Sequence, residues 1–238
     1  MEKIQNYING NLVPPKSEKY FDNVSPVTGE VYSLIPDSDR YDIDDAVQSA
    51  KEAFLIWSKL SKKERYDHVM HLADIVENHF EELVKAESKD NGKPEWLARS
   101  VDIPRASENF RFFATASLHF DSEIHEMDGK AINYTLRQPI GVAGCISPWN
   151  LPVYLLTWKI APALVAGNTV VAKPSEVTPM TAYIFSKICQ EANFPKGVIN
   201  IVHGYGNKVG DALSRHPKVP IISFTGGTAT GEKIAATA

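Results

Sequence analysis

The spacing of apolar and polar positions changes as the chain proceeds. The run from Tyr7 to Val13 alternates around Asn9 and Gly10, a pair suited to a type I′ turn, and predicts a β-hairpin. A second short β region is expected from Phe21 to Ile35, punctuated by Pro26 and Gly29. Helical spacing then takes over. Ile43, Val47, Ala50, Phe54 and Trp57 fall on one face of a helix that Asp42 is placed to cap. Ser61 and Glu64 form a capping box opening one long helix, with Val69, Leu72, Val76, Phe80 and Leu83 on a single face. Gly92 suits the C′ position that ends it, with Pro94 beyond. A third helix, over about residues 95–117, carries Arg105, Arg111 and the cluster Phe110, Phe112 and Phe113.

From residue 121 to 137 the pattern reads as two strands joined through Asp128 and Gly129, a hairpin arm rather than core. After Pro139, strand and helix alternate. Strands are expected at about 141–147, 168–172, 197–202 and 219–224, with helices of roughly 12 to 16 residues in the first two gaps. That alternation means βαβ units. The predicted fold class is α/β, a parallel Rossmann-like sheet flanked by helices, with the hairpin arm projecting from it.

Bulk composition narrows the function classes. A chain of 238 residues, 43% hydrophobic and of mixed charge, is long enough to bury a sizeable core. A net charge of −4 argues against nucleic acid as a partner, since phosphate binding needs a clustered cationic footprint. No apolar run approaches the ~20 residues of a membrane span, and the N-terminus has no signal-peptide pattern. Two cysteines, Cys145 and Cys189, point to a reducing, cytoplasmic setting rather than a disulfide framework. His68 and His71 share a helix face without an evident third ligand, so no metal site is expected.

Candidate chemistry gathers at the ends of the predicted strands, where open α/β sheets bind ligands. Ile146, Ser147, Pro148, Trp149 and Asn150 follow the first. A carboxamide there can donate hydrogen bonds to a forming oxyanion; the alternative is that Asn150 caps the following helix. Lys173, Ser175 and Glu176 follow the second strand, with Pro174 stopping it abruptly. An acid at this place can accept both hydroxyls of an adenosine ribose and would repel a 2′-phosphate; the alternative is a solvated surface pair. Gly204, Gly206 and Gly210 follow the third strand with one residue too many for the dinucleotide fingerprint, and a plain tight turn explains them equally well. Phe224, Thr225, Gly226 and Gly227 open the last helix, whose free N–H groups suit a pyrophosphate. Cys145 and Cys189 read as inert buried thiols.

Taken together, the runs Ile146–Pro152, Lys173–Glu176 and Phe224–Thr228 resemble the aldehyde dehydrogenase superfamily along almost the whole chain. With Asp102–Arg105 and Asn109–Phe112, they are most similar to its 2-hydroxymuconic and 2-aminomuconic semialdehyde dehydrogenases. The resemblance implies NAD as cofactor. Lys173, Ser175 and Glu176 would hold its adenosine end, and Ile146, Ser147, Pro148, Trp149, Gly206, Gly210, Phe224, Thr225, Gly226 and Gly227 would contact the remainder. Most relatives carry Ser where Gly227 stands, so only backbone contacts are expected there. Asn150 would be an oxyanion-hole donor. Arg105 would bind the substrate carboxylate, against the alternative of a surface arginine. In the family a Cys thiolate attacks the aldehyde, hydride passes to NAD, and a Glu activates the water that releases the acid. The resemblance places that Cys and Glu beyond residue 238.

The implied organisation is a NAD-binding domain over 1–120 and 138–238, an oligomerisation arm over 121–137, and a catalytic domain outside this chain. The expected function is NAD-dependent oxidation of a muconic-type semialdehyde by a homo-oligomer, with this chain as the cofactor-binding half and inactive alone. Two alternatives stand beside it. One is a non-catalytic cofactor-binding or assembly module; the other is different chemistry using Cys145 or Cys189.

Overall fold

The computed structural model describes residues 1–238. The strands are β1 (Glu2–Lys3), β2 (Asn6–Ile8), β3 (Asn11–Val13), β4 (Tyr20–Val24), β5 (Val31–Pro36), β6 (Ile124–Met127), β7 (Ala131–Tyr134), β8 (Val142–Ile146), β9 (Thr169–Lys173), β10 (Ile199–Ile201) and β11 (Ile221–Phe224). The helices are α1 (Arg40–Trp57), α2 (Lys62–Asn78), α3 (Phe80–Asn91), α4 (Glu95–Leu97), α5 (Ile103–Leu118), α6 (Pro152–Val165), α7 (Met180–Glu191), α8 (Asp211–Ser214) and α9 (Thr228–Ala235).

The central sheet has the order β11-β8-β9-β10-β2-β3. Its first four strands are parallel, and β8, β9 and β10 are buried along their whole length, as strands covered on both faces must be. On one face α2, α5, α6 and α7 contribute Leu72, Phe110, Leu156 and Phe185 to the larger core. On the other, α1 and α8 contribute Ile43, Val47 and Leu213 to a smaller one. No helix is long and apolar enough to cross a membrane.

The α/β architecture agrees with the sequence reading, with four corrections. The sheet is mixed rather than wholly parallel, because the N-terminal hairpin adds β2 antiparallel to β10. That hairpin turns as expected, with positive φ at Asn9 and Gly10. Asp39, not Asp42, caps α1; Asp42 is the buried third residue of the same capping box, reaching back to the Asp39 N–H. The single long helix from Ser61 breaks at His79, whose φ of −92° and ψ of 16° end α2 and start α3. The third helix is interrupted by a π-helical turn, Ala98–Asp102, between α4 and α5. Residues 121–137 form an antiparallel hairpin, β6 with β7, whose side chains are exposed throughout.

Candidate functional site

The parallel strands all end on one edge of the sheet, and the predicted residues collect there. Lys173 is the last residue of β9. Its side chain is almost fully buried and donates to Glu176 Oε2 at 2.5 Å, while the Gly206 N–H donates to Oε1 at 3.1 Å. Burial pushes the Glu176 carboxyl up, but the Lys173 charge, its hydrogen bond and the Gly206 N–H outweigh this and hold it below the usual range. Burial likewise lowers Lys173, and Glu176 opposes that. Beside them lies a cavity of about 260 Å³ lined by Ile146, Gly206, Gly210, Asp211, Thr230 and Lys233 among others. Ser175 is buried, and its oxygen accepts from the Val177 N–H at 3.2 Å.

β11 delivers the second part of the edge. The Thr225 N–H donates to Ile146 O at 3.1 Å, tying the two loops together. A Cβ on Gly226 would lie 2.4 Å from the Phe224 ring, so any other residue there would have to displace that ring. Gly227 precedes α9 with no side-chain cap and with open space around its Cα, leaving the first N–H groups of the helix unused. Buried Lys159, on α6, donates to Thr225 Oγ1. Burial lowers its ammonium below the usual lysine range.

Asn150 stands where β8 gives way to α6. The helix starts at Pro152 with Leu151 as its uncapped N-cap, and the Asn150 carboxamide is exposed and makes no hydrogen bond within the protein. The helix-cap alternative is therefore not realised. The loop is held by its carbonyls instead: Trp149 O accepts from Asn91 Nδ2 at 2.8 Å and Thr178 Oγ1 at 3.3 Å, and Asn150 O accepts from Lys93 Nζ at 3.0 Å. Ser147 is buried, with its N–H donating to Lys173 O at 3.2 Å, whereas the Trp149 side chain faces outward. Arg105 is on α5, half exposed and paired with Glu108 at 3.1 Å. Asn109 donates to Tyr154 O at 3.1 Å and Thr157 Oγ1 at 3.0 Å, and Phe113 packs edge-on to Trp158. α5 and α6 thus run side by side in the same direction. Arg105, one turn before Asn109, falls beside the start of α6.

Residues 12–238 match the aldehyde dehydrogenase family. The chain belongs to that family. It is 54% identical over 232 residues to the 2-aminomuconic semialdehyde dehydrogenase of Danio rerio, covering 97% of this chain and 47% of that protein. Identity to the 2-hydroxymuconic semialdehyde dehydrogenase of Pseudomonas sp. (strain CF600) is 45% over 240 residues, 98% of this chain and 49% of that one. Among solved structures, the NAD+ complex of a Bacillus cereus aldehyde dehydrogenase superposes with a TM-score of 0.96 at 37% identity, covering 99% of this chain and 48% of that one. The chain spans about half the length of the curated relatives it matches.

For this aldehyde dehydrogenase chain, the structure brings Ile146, Lys173, Glu176, Gly206, Gly210 and the Phe224–Gly227 segment to one edge, with Asn150 on the adjoining loop. Cys145 and Cys189 are wholly buried, and burial pushes the Cys145 thiol up to about 12 and raises Cys189 further. Neither is a competent nucleophile, which removes the reading that gave them the chemistry. His68 lies against the rings of Trp57 and Phe194, which also pack on each other. Three side chains went unread in the sequence. Lys159 carried a signal, being the lone charged residue of an apolar helix. Lys93 and His203 carried none, because only tertiary burial sets them apart.

Proposed function

We propose that this chain is the cofactor-binding half of an enzyme that oxidises a muconic-type semialdehyde with NAD. The observation that carries the reading is the Glu176 carboxylate, fixed by Lys173 and the Gly206 N–H at the ligand edge and bordered by an open cavity. Such an anion accepts ribose hydroxyls and repels a 2′-phosphate. The residues present fit a dinucleotide. Glycine at 206, 226 and 227 leaves backbone accessible, and the start of α9 offers unused N–H groups to a pyrophosphate. When bound, NAD supplies the hydride acceptor.

The chain's own residues have separate tasks in this reading. Asn150 donates to the oxygen of the aldehyde as negative charge builds on it. Arg105, on the helix that runs alongside α6, takes the carboxylate of the semialdehyde, in keeping with the substrates named for the most similar relatives. Residues 1–120 and 138–238 form the NAD-binding domain, and 121–137 form the assembly arm of a homo-oligomer. The nucleophile and general base come from the part of the family's length that this chain does not span.

The test uses the complete protein with a carboxylate-bearing semialdehyde and a neutral aldehyde of similar size. Arg105→Ala should raise KM for the first roughly ten-fold or more and leave the second nearly unchanged, since a lost charged hydrogen bond costs about 1.5–3 kcal/mol. Equal effects on both would remove Arg105 from the site. Absence of NAD reduction with either aldehyde would overturn the function.

A further inference from the structure

The loop that presents Asn150 is gripped from behind by one turn of chain. α3 ends at Gly92, whose left-handed φ of 80° reverses the backbone. The residues on either side then reach consecutive carbonyls: Asn91 holds Trp149 O at 2.8 Å and Lys93 holds Asn150 O at 3.0 Å. The Ser88 hydroxyl pins the base of this turn by donating to Lys93 O at 2.7 Å. The Lys93 ammonium also donates to Glu87 Oε1 at 3.2 Å and to Asp102 Oδ2.

This is an expensive way to fill space. The Glu87 and Asp102 side chains are 0% and 1% exposed, and Lys93 is 8% exposed. Two buried carboxyl groups face one ammonium, and Glu87 Oε2 and Asp102 Oδ1 have no partner at all. Apolar side chains of similar volume would be at least as stable in such a place. What they would lack is a rigid donor aimed at the Asn150 carbonyl. That carbonyl fixes the peptide plane next to the carboxamide, and the carboxamide has no contact of its own to orient it.

We infer that Lys93, braced by Glu87 and Asp102, is the positioning residue for Asn150, and that Asn91 secures the preceding peptide in the same clamp. Neither touches the substrate. The inference rests on the role proposed above for Asn150. A donor to a developing oxyanion is effective only when held in place, and displacement by about 1 Å costs on the order of 100-fold.

The experiment compares Lys93→Met, Asn150→Ala and the double variant in the complete protein, by aldehyde oxidation and by amide hydrogen exchange at Leu155, whose N–H donates to Leu151 O at the end of the loop at 2.9 Å. Lys93→Met should lower kcat roughly 10- to 100-fold with KM for NAD within about two-fold. It should add nothing in the Asn150→Ala background. Exchange at Leu155 should rise in Lys93→Met and stay unchanged in Asn150→Ala. Additive losses in the double variant, or unchanged exchange in Lys93→Met, would overturn the clamp. Where Lys93→Met does not fold, Asn91→Ala removes no charge and carries the same test, with a loss of roughly three- to ten-fold that again vanishes beside Asn150→Ala. If the unaltered protein oxidises no aldehyde, the proposed function falls, and the exchange measurement still decides whether Lys93 holds the loop.

Discussion

Glu176 stays ionised because its two oxygens are both occupied, one by Lys173 and one by a backbone N–H, despite burial that opposes the charge. Glu176→Gln keeps an acceptor for the Gly206 N–H but removes the anion and leaves the Lys173 charge uncompensated. The preference for NAD over NADP should therefore narrow by roughly ten-fold, read as the ratio of kcat/KM values. An unaltered enzyme that used both dinucleotides equally would contradict this role. His203 presents the reverse situation. It is fully buried with neither ring nitrogen bonded, and burial, reinforced by the Lys173 charge, pushes it down to about 3. Below the unfolded value of about 6.5 the unfolded chain binds a proton that the folded chain refuses, so stability is lost as pH falls through that window. Between pH 6.5 and 5 the loss is about 2 kcal/mol. His203→Gln should flatten the acid side of the stability curve by that amount. Glu87, raised to about 7 by burial, acts in the opposite sense, but it is common to both proteins and cancels in the comparison. Asn150, Lys173, Glu176 and Gly226 were legible in the sequence because each sits beside its own punctuation, a proline or glycine at a strand end. Lys93 looks like any surface lysine until the fold buries it.

Elements were legible where a local signal fixes both ends. The Ser61 capping box and the αL residue Gly92 are such signals, and both fall where the pattern placed them. The break at His79 was not, because apolar spacing continues unbroken from Val69 to Leu83 across it. The ring of His79 bridges Glu82 and Glu191, each at 2.8 Å, and that cross-link to α7 has no local trace. The π-helical turn at Ala98–Asp102 is equally silent; it places Asp102 where Lys93 can reach it. Gly92 carries a prediction of its own. A side chain there must adopt φ near 80° and bring Cβ to 3.0 Å from Pro26 Cγ. Gly92→Ala should cost about 1–2 kcal/mol in urea unfolding. A neutral substitution would show that the turn relaxes.

At the scale of the molecule, the arm is the least self-sufficient part. Ile124, Ile132 and Tyr134 share one face of the β6–β7 hairpin and are 63–72% exposed. An isolated two-stranded hairpin is marginal in water, and an apolar face of this kind needs cover. The protein should associate at micromolar concentration by light scattering, and Ile132→Asp with Tyr134→Asp should yield monomers that remain folded. A monodisperse unaltered monomer would contradict this. The sheet also shows where sequence reading stops. The signal at Asn9 and Gly10 defines a hairpin but not the edge that receives it, and that edge, β10, is supplied from the far end of the chain. Tyr7 pairs with Ile201, and Asn6 accepts from the His203 N–H at 2.9 Å. A ribosome adds roughly 5–20 residues each second, so β2 emerges about 10–40 seconds before β10 exists. β2 thus waits far longer for β10 than any strand of the parallel set waits for its neighbour, and for that interval nascent-chain chaperones, rather than β10, are what can shield it.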